Sequence, residues 1–152
     1  MKALVQRVTE GSVSVDGKVI GAIGKGLVIL FGAGCGDTEK DVVYLAGKCA
    51  NLRIFEDDAG KMNRSLLDIG GEALVISQFT LYGDCRKGRR PGFSDAADPA
   101  EAERFYEQFL AKIAQCGVKN VQHGQFGADM KVKIFNDGPV TFMLESRGGV
   151  GV

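Results

Sequence analysis

The chain is short of several things that chemistry often needs. Its 152 residues include one histidine, no tryptophan and three prolines, and 19 lysines and arginines balance 19 aspartates and glutamates. A single imidazole, His123 in "VQHGQFG", leaves little material for a histidine-based site, and at a strand end it reads more simply as a surface or packing residue. The neutral balance excludes a global field that would gather polyanions, so any contact with nucleic acid has to come from local clustering. Cys35, Cys49, Cys85 and Cys116 lie far apart with no CxxC pair, so zinc-ligand spacing is absent and neither a metal site nor a cofactor is expected. No apolar run approaches the ~20 residues of a membrane span. The opening "MKALVQRVTE" is too polar for the apolar core of a signal peptide. A cytoplasmic protein without membrane contact is the expectation.

What is present suits one domain: 45% hydrophobic and 25% charged residues in a chain long enough to bury a real core. "KALVQRV", "SVSV", "KVIGAI" and "GLVILFGAG" read as strands, with Asp16-Gly17 as a hairpin turn. Thr38 and Asp41 have capping-box spacing, and Val42, Leu45, Cys49 and Leu52 recur at helical spacing after them. "DPAEAERFYEQFLAKIAQCG" opens with Asp98 as N-cap and Pro99 at the first helical position, ends at Gly117, and buries Ala102, Phe105, Phe109, Ile113 and Cys116. "EALVISQFTLY" reads as a strand of the middle third, and further strands flank Pro139. The expected fold is α+β: a largely antiparallel, barrel-like sheet covered by two helices, with residues 1–146 as the domain and 147–152, "RGGVGV", as a flexible tail.

Three stretches could carry chemistry. In "SQFTLYGD" the run is interrupted by Ser77, Gln78 and Thr80; strand alternation would put Ser77 and Phe79 on one face and Gln78 and Thr80 on the other. These are either hydrogen-bonded polar groups at a sheet rim or the floor of a pocket, and a hydroxyl there is a nucleophile only with a base beside it. "CRKGRRPGF" puts Arg86, Lys87, Arg89 and Arg90 within five positions, as a solvated loop or as a phosphate contact. Cys85 has Arg86 beside it to favour a thiolate but no assured base. In "NDGPVTF" the Asn-Asp-Gly already suffices for a turn, so Pro139, which removes an N–H, suits an opening where the Gly138 and Pro139 carbonyls face something other than a neighbouring strand.

With "QRV", "NLRIFEDDAGKMNRSL", "SQFTLYGD", "FGADMKV" and "NDGPVTF" on one chain, the sequence resembles the D-aminoacyl-tRNA deacylases over nearly its whole length. The resemblance implies a homodimeric hydrolase that cleaves the ester between a D-amino acid, or glycine mischarged on tRNA(Ala), and the terminal adenosine of tRNA. It implies a pocket of Ser77, Gln78, Phe79 and Thr80 joined by a cis Gly138-Pro139 motif from the partner subunit, which screens chirality. It leaves Arg86, Lys87, Arg89 and Arg90 as the candidate tRNA contacts. Gly92 stands where the family usually has serine, and His123 where threonine is common, which argues further against a catalytic role for the histidine. An aminoacyl ester is already activated, so holding it still and stabilising the oxyanion, worth several kcal/mol each, can suffice. Backbone N–H groups of Phe79, Gln78 or Thr80 are the candidate donors and the ribose 2′-hydroxyl the candidate activator of water, with a Thr80 nucleophile as the alternative. A non-catalytic nucleic-acid binder, an esterase for small D-amino-acid esters and a deacylase with a relaxed filter are the competing functions.

Overall fold

The computed structural model describes residues 1–152. The strands are β1 (Lys2–Val15), β2 (Lys18–Ile23), β3 (Gly26–Gly32), β4 (Phe55–Glu56), β5 (Met62–Arg64), β6 (Glu72–Ser77), β7 (Val121–His123), β8 (Lys131–Arg147) and β9 (Val150–Gly151). Two helices, α1 (Glu39–Asn51) and α2 (Pro99–Gln115), pack on one side. The seven-stranded sheet runs β7-β6-β3-β1-β8-β9, with β2 also paired to β1. The β1–β2, β1–β3, β1–β8 and β8–β9 pairs are antiparallel, but β3–β6 and β6–β7 are parallel, so the sheet is mixed.

Alternation along β3 buries both of its faces. Leu27, Ile29 and Phe31 point to the helices and join the larger core with Leu45, Phe105, Phe109 and Ile113, whereas Val28 faces a second core with Val8, Val13, Ile23, Leu74 and Ile76. A strand buried on both faces is what a continuous apolar run encodes. The second core exists because β1 is one long strand whose first half pairs with β3 and whose second half pairs with β2, so that β2 curls back over the sheet. The expected "KALVQRV" and "SVSV" are thus one element. The sheet curls without closing into a true barrel.

The Asp16-Gly17 turn forms as expected, with both residues at positive φ (50° and 77°), the geometry that a tight hairpin demands. The helices also begin as their sequences indicate. The Asp41 carboxylate receives the Thr38 backbone N–H at 2.8 Å and hydroxyl at 3.0 Å, and Pro99 occupies the first turn of α2. Phe105 and Phe109 are essentially excluded from solvent, each contributing about 1.5–3 kcal/mol by burial.

Two expectations change. β6 stops at Ser77, and Phe79–Tyr82 is a turn of 3-10 helix, so the strand alternation assumed for residues 77–80 does not hold. The neighbour β3 ends at Gly32; after the Gln78 N–H bonds the Phe31 carbonyl at 2.7 Å there is no ladder left, and the chain closes short-range bonds of its own, Leu81 N–H to Gln78 O and Gly83 N–H to Thr80 O. The segment 147–152, expected as a tail, folds back instead. It turns at Gly148 and Gly149, both at positive φ, and pairs as β9 with Ser146 and Arg147, while the Gly149 N–H reaches the Asp41 carboxylate at 2.8 Å.

Candidate functional site

At the end of β6 the chain forms a cavity of about 650 Å³, lined by Ser77, Gln78 and Phe79 and by an apolar wall that includes Phe31, Phe93, Phe126 and Met130. Phe79 is 56% exposed and meets Phe93 edge-on, with ring centroids 5.0 Å apart, so two aromatic rings stand at the mouth. Phe93 closes the basic loop, which is pinned at its base by paired backbone bonds between Asp84 and Gly92. Pocket and loop therefore share one rim, as their adjacency in sequence suggests.

The 3-10 turn determines which donors are available. The N–H of Gln78 is engaged with Phe31, which removes it as an oxyanion donor. Phe79 and Thr80 open the turn, and the first N–H groups of such a turn have no acceptor within it. The Gln78 side-chain amide donates to the Thr80 hydroxyl oxygen. An amide N–H is a donor and cannot take up a proton, so Thr80 gains no base from it. Neither Ser77 nor Thr80 is hydrogen-bonded to a carboxylate or an imidazole. His123 is exposed, holds Nδ1 2.7 Å from the Gly124 carbonyl, and lies outside the cavity lining; Cys85 is exposed and lies outside it too.

The far end of the turn is clamped. Asp37 accepts the Met1 ammonium at 2.6 Å and the Gly34 N–H at 2.7 Å, and the Tyr82 hydroxyl reaches it at 3.4 Å. The Tyr82 ring lies so close to Gly34 that a Cβ there would sit 2.5 Å from it. Burial, and then the Asp37 charge, push the Tyr82 hydroxyl well above the usual phenol range.

The four loop cations are not equivalent. Arg86 grips Asp84 with two bonds of 2.7 and 2.8 Å, and these bonds, foremost, hold the Asp84 carboxyl down at about 2. Lys87, Arg89 and Arg90 are exposed and make no ion pair. The loop therefore offers three free positive charges, and Arg86 serves to shape it.

Gly138 and Pro139 lie elsewhere in the chain. Along β8, Asn136 pairs with Val8 and Thr141 with Gln6, so residues 137–140 bulge out of the ladder opposite Arg7 alone. The bond between Gly138 and Pro139 is cis, and both residues are exposed. Buried Arg7 holds the bulge: its Nε donates to the Asp137 carbonyl at 3.0 Å and its Nη1 to the Ile54 carbonyl at 2.8 Å. The Asn136 side chain closes it, accepting the Val140 N–H at 2.6 Å and donating to the Thr141 hydroxyl at 2.9 Å. None of these bulge residues lines the cavity of the same chain. The structure thus brings Ser77, Gln78 and Phe79 to one pocket, with Thr80 next to them, and places Gly138 and Pro139 on a separate projection.

Residues 4–145 match the family model described as D-Tyr-tRNA(Tyr) deacylase. The chain belongs to this family. A D-aminoacyl-tRNA deacylase of Heliobacterium modesticaldum is 61% identical, with 98% of this chain and 99% of that protein aligned. One of Roseiflexus castenholzii is 62% identical over 96% of this chain and 92% of its own length. Among solved structures, a "c-Myc DNA Unwinding Element Binding Protein" superposes with a TM-score of 0.92 at 45% identity, covering 97% of this chain and all of the other. A probable eukaryotic D-amino acid tRNA deacylase shares the fold, with a TM-score of 0.80 at 19% identity over 93% of this chain and 97% of its own.

Some members of the site escape a reading of the sequence. Phe126 and Met130 stand in "FGADMKV" and Phe93 ends the basic loop, but nothing local marks them as pocket walls. Arg7 does leave a signal. It occupies the inward alternation of β1 after Ala3 and Val5, and a charge on an apolar face implies a specific set of partners.

Proposed function

We infer that the chain hydrolyses the ester joining a D-amino acid to the 3′-terminal adenosine of tRNA, the reaction for which its family is named. The observation that carries this reading is the aromatic-walled cavity of about 650 Å³ lined by Phe79, which with the adjacent Thr80 opens the 3-10 turn and leaves two N–H groups without an acceptor in it. Its size and apolar lining suit a nucleoside, with the rings of Phe79 and Phe93 available for stacking and the ester carbonyl directed at the turn. The two N–H groups stabilise the oxyanion, the ribose 2′-hydroxyl activates water, and Ser77 and Thr80 shape the floor. Lys87, Arg89 and Arg90 meet the phosphates beyond the mouth.

The active form is a homodimer. β8 is paired only with β1 over most of its length and exposes Phe135, Phe142 and Met143 beside the bulge, an apolar edge that calls for a cover. The bulge of each subunit enters the other's pocket, where the Gly138 and Pro139 carbonyls hold the substrate ammonium. Fixed acceptors read what all amino acids share, so an L side chain is left only a clash, many D side chains are accepted, and glycine, having no side chain, passes.

A second reading, nucleic-acid binding without chemistry, draws on the name of the solved neighbour at 45% identity. Against it stand the neutral chain and only three free loop cations, where sequence-independent binders spread many along a groove. Matched D- and L-aminoacyl-tRNAs separate the two: rapid loss of the D ester with the L ester intact supports hydrolysis, and equal slow loss of both refutes it. With a 2′-deoxyadenosine terminus the rate falls sharply, while Thr80→Ala and Ser77→Ala retain substantial activity. An ester trapped on Thr80 would replace this mechanism by nucleophilic catalysis.

A further inference from the structure

We propose that the groove between the end of α1 and the β4–β5 hairpin binds phosphates of a tRNA whose 3′ end occupies the partner's pocket; the inference rests on the dimeric deacylase reading above. The groove has a volume of about 570 Å³ and is lined by Lys48 and Arg53, with Asn51 and an apolar floor that includes Tyr44 and Met62. No acidic residue lines it. Lys48 lies over the Tyr44 ring at 6.0 Å, and Arg53 is exposed, with neither cation in an ion pair.

Glu56, across the hairpin from Met62, is exposed and unpaired but does not line the groove, and the other acids nearby are engaged elsewhere. Asp57 accepts the Ala59 and Lys61 N–H groups of its own turn, Asp58 pairs with Arg64 at 3.0 Å, and Asp68 caps Ser65 at 2.8 Å. Asp68 is close enough to Arg53 to feel its charge but does not bond it. A lysine in the last turn of a helix has an ordinary role in offsetting the helix dipole, which accounts for Lys48 alone. It does not account for Arg53, which lies beyond the helix, or for a groove free of carboxylates. In a chain with no net charge, two unpaired cations over an aromatic and thioether floor fit an anionic, partly apolar partner such as an RNA strand.

The placement in trans follows from Arg7. The residue after Arg53 is Ile54, whose carbonyl holds Arg7, and Arg7 in turn holds Asp137 at the base of the bulge. Two hydrogen bonds therefore link the groove wall to the projection carrying Gly138 and Pro139. If that projection enters the partner's pocket, the groove flanks the partner's mouth, on the path that the acceptor end must take outward.

The test pairs Lys48→Gln with Arg53→Gln in the full chain and reads tRNA binding across a salt titration. The slope of log Kd against log salt should fall by about 1.5, with affinity at low salt reduced about three- to tenfold. Arg53→Lys, which keeps the charge, should restore most of its share. A short substrate, a D-aminoacyl ester of adenosine alone, reaches no further than the pocket, so a rise in the ratio of the tRNA KM to the short-ester KM reports lost RNA contact and not a damaged pocket. Mixed dimers assign the subunit: with one pocket filled by Ala128→Trp, the groove substitutions should weaken tRNA binding when carried by the blocked subunit and not when carried by the open one. An unchanged slope and KM ratio overturn the proposal, and the opposite subunit pattern overturns its placement in trans. A wild-type protein inert on every D-aminoacyl-tRNA but still showing the slope change overturns the deacylase reading instead.

Discussion

Asp41 ties the first helix to the end of the chain, and its removal should be costly in a pH-dependent way. The carboxyl is fully buried. Burial alone would push its pKa up, but bonds from the Ser146 hydroxyl at 2.7 Å, the Gly149 N–H at 2.8 Å and both donors of Thr38 outweigh that and hold it at about 2, against 3.8 for an unperturbed group. A group with a depressed native pKa stabilises the fold above its unfolded value, and this contribution fades as pH falls through the native one. The difference corresponds to about 2.5 kcal/mol at neutral pH and about half of that at pH 3. Asp41→Asn retains one oxygen acceptor but turns an NH2 group toward donors, so the loss should be at least this large. For a chain of 152 residues that is a fall in Tm of about 5–10 °C at pH 7, measured by thermal circular dichroism at fixed protein concentration. The gap between wild type and variant should narrow steadily below pH 4. A gap that stays constant from pH 7 to pH 3 would mean that the ionised carboxylate is not what the four donors stabilise.

Arg7→Met should leave the Asp137 and Ile54 carbonyls without their charged donor, costing about 2–4 kcal/mol in chemical denaturation and, in the proposed dimer, lowering D-ester hydrolysis through a misplaced bulge; an active, equally stable variant would show that the bulge holds itself. Gly138→Ala puts a Cβ 2.7 Å from Val140 Cγ2 at a φ of 135°, so hydrolysis or chiral discrimination should collapse while the melting temperature falls by only a few degrees, and unchanged kinetics on both enantiomers would remove the bulge from the mechanism. Arg89→Ala with Arg90→Ala should weaken tRNA binding and lower its salt slope by about 1.5, whereas Arg86→Ala should act through loop order. Equal slopes for all three proteins would make the loop a solvated turn.

Local chemistry made the elements legible. The Asp16-Gly17 turn, the Thr38–Asp41 box and Pro99 at the start of α2 each specify a boundary by short-range sterics or hydrogen bonds, and each lies where its residues indicate. What depends on distant chain was not legible. β6 ends because β3 has ended, so the turn that exposes the Phe79 and Thr80 N–H groups is dictated by a strand some fifty residues earlier. The "RGGVGV" composition suggests fraying, yet Gly149 finds a buried carboxylate more than a hundred residues away. Likewise the four basic residues look alike in sequence, and only the geometry of Asp84 separates Arg86 from the rest.

The pocket and the bulge carry a further implication when taken together. In the proposed mechanism each is incomplete by itself: the pocket supplies donors for an oxyanion, and the bulge, with Gly138 and Pro139 exposed, lines no part of its own chain's cavity. Bringing them together across a subunit boundary makes the filter depend on the placement of backbone, which Arg7 and Asn136 fix through bonds to main-chain atoms of the bulge. Backbone acceptors have no rotamers to adjust around an ill-fitting enantiomer, whereas a carboxylate on a flexible side chain could follow the ammonium of either hand. In the proposed dimer, therefore, chiral selectivity should resist substitution of the pocket's side chains and yield to loss of the groups that hold the bulge. Substitutions at Ser77 or Thr80 should change rate on the D ester with the D-to-L ratio preserved, and substitutions at Arg7 or Asn136 should erode the ratio itself. The reverse pattern, with the ratio set by the pocket hydroxyls, would place the filter within one subunit.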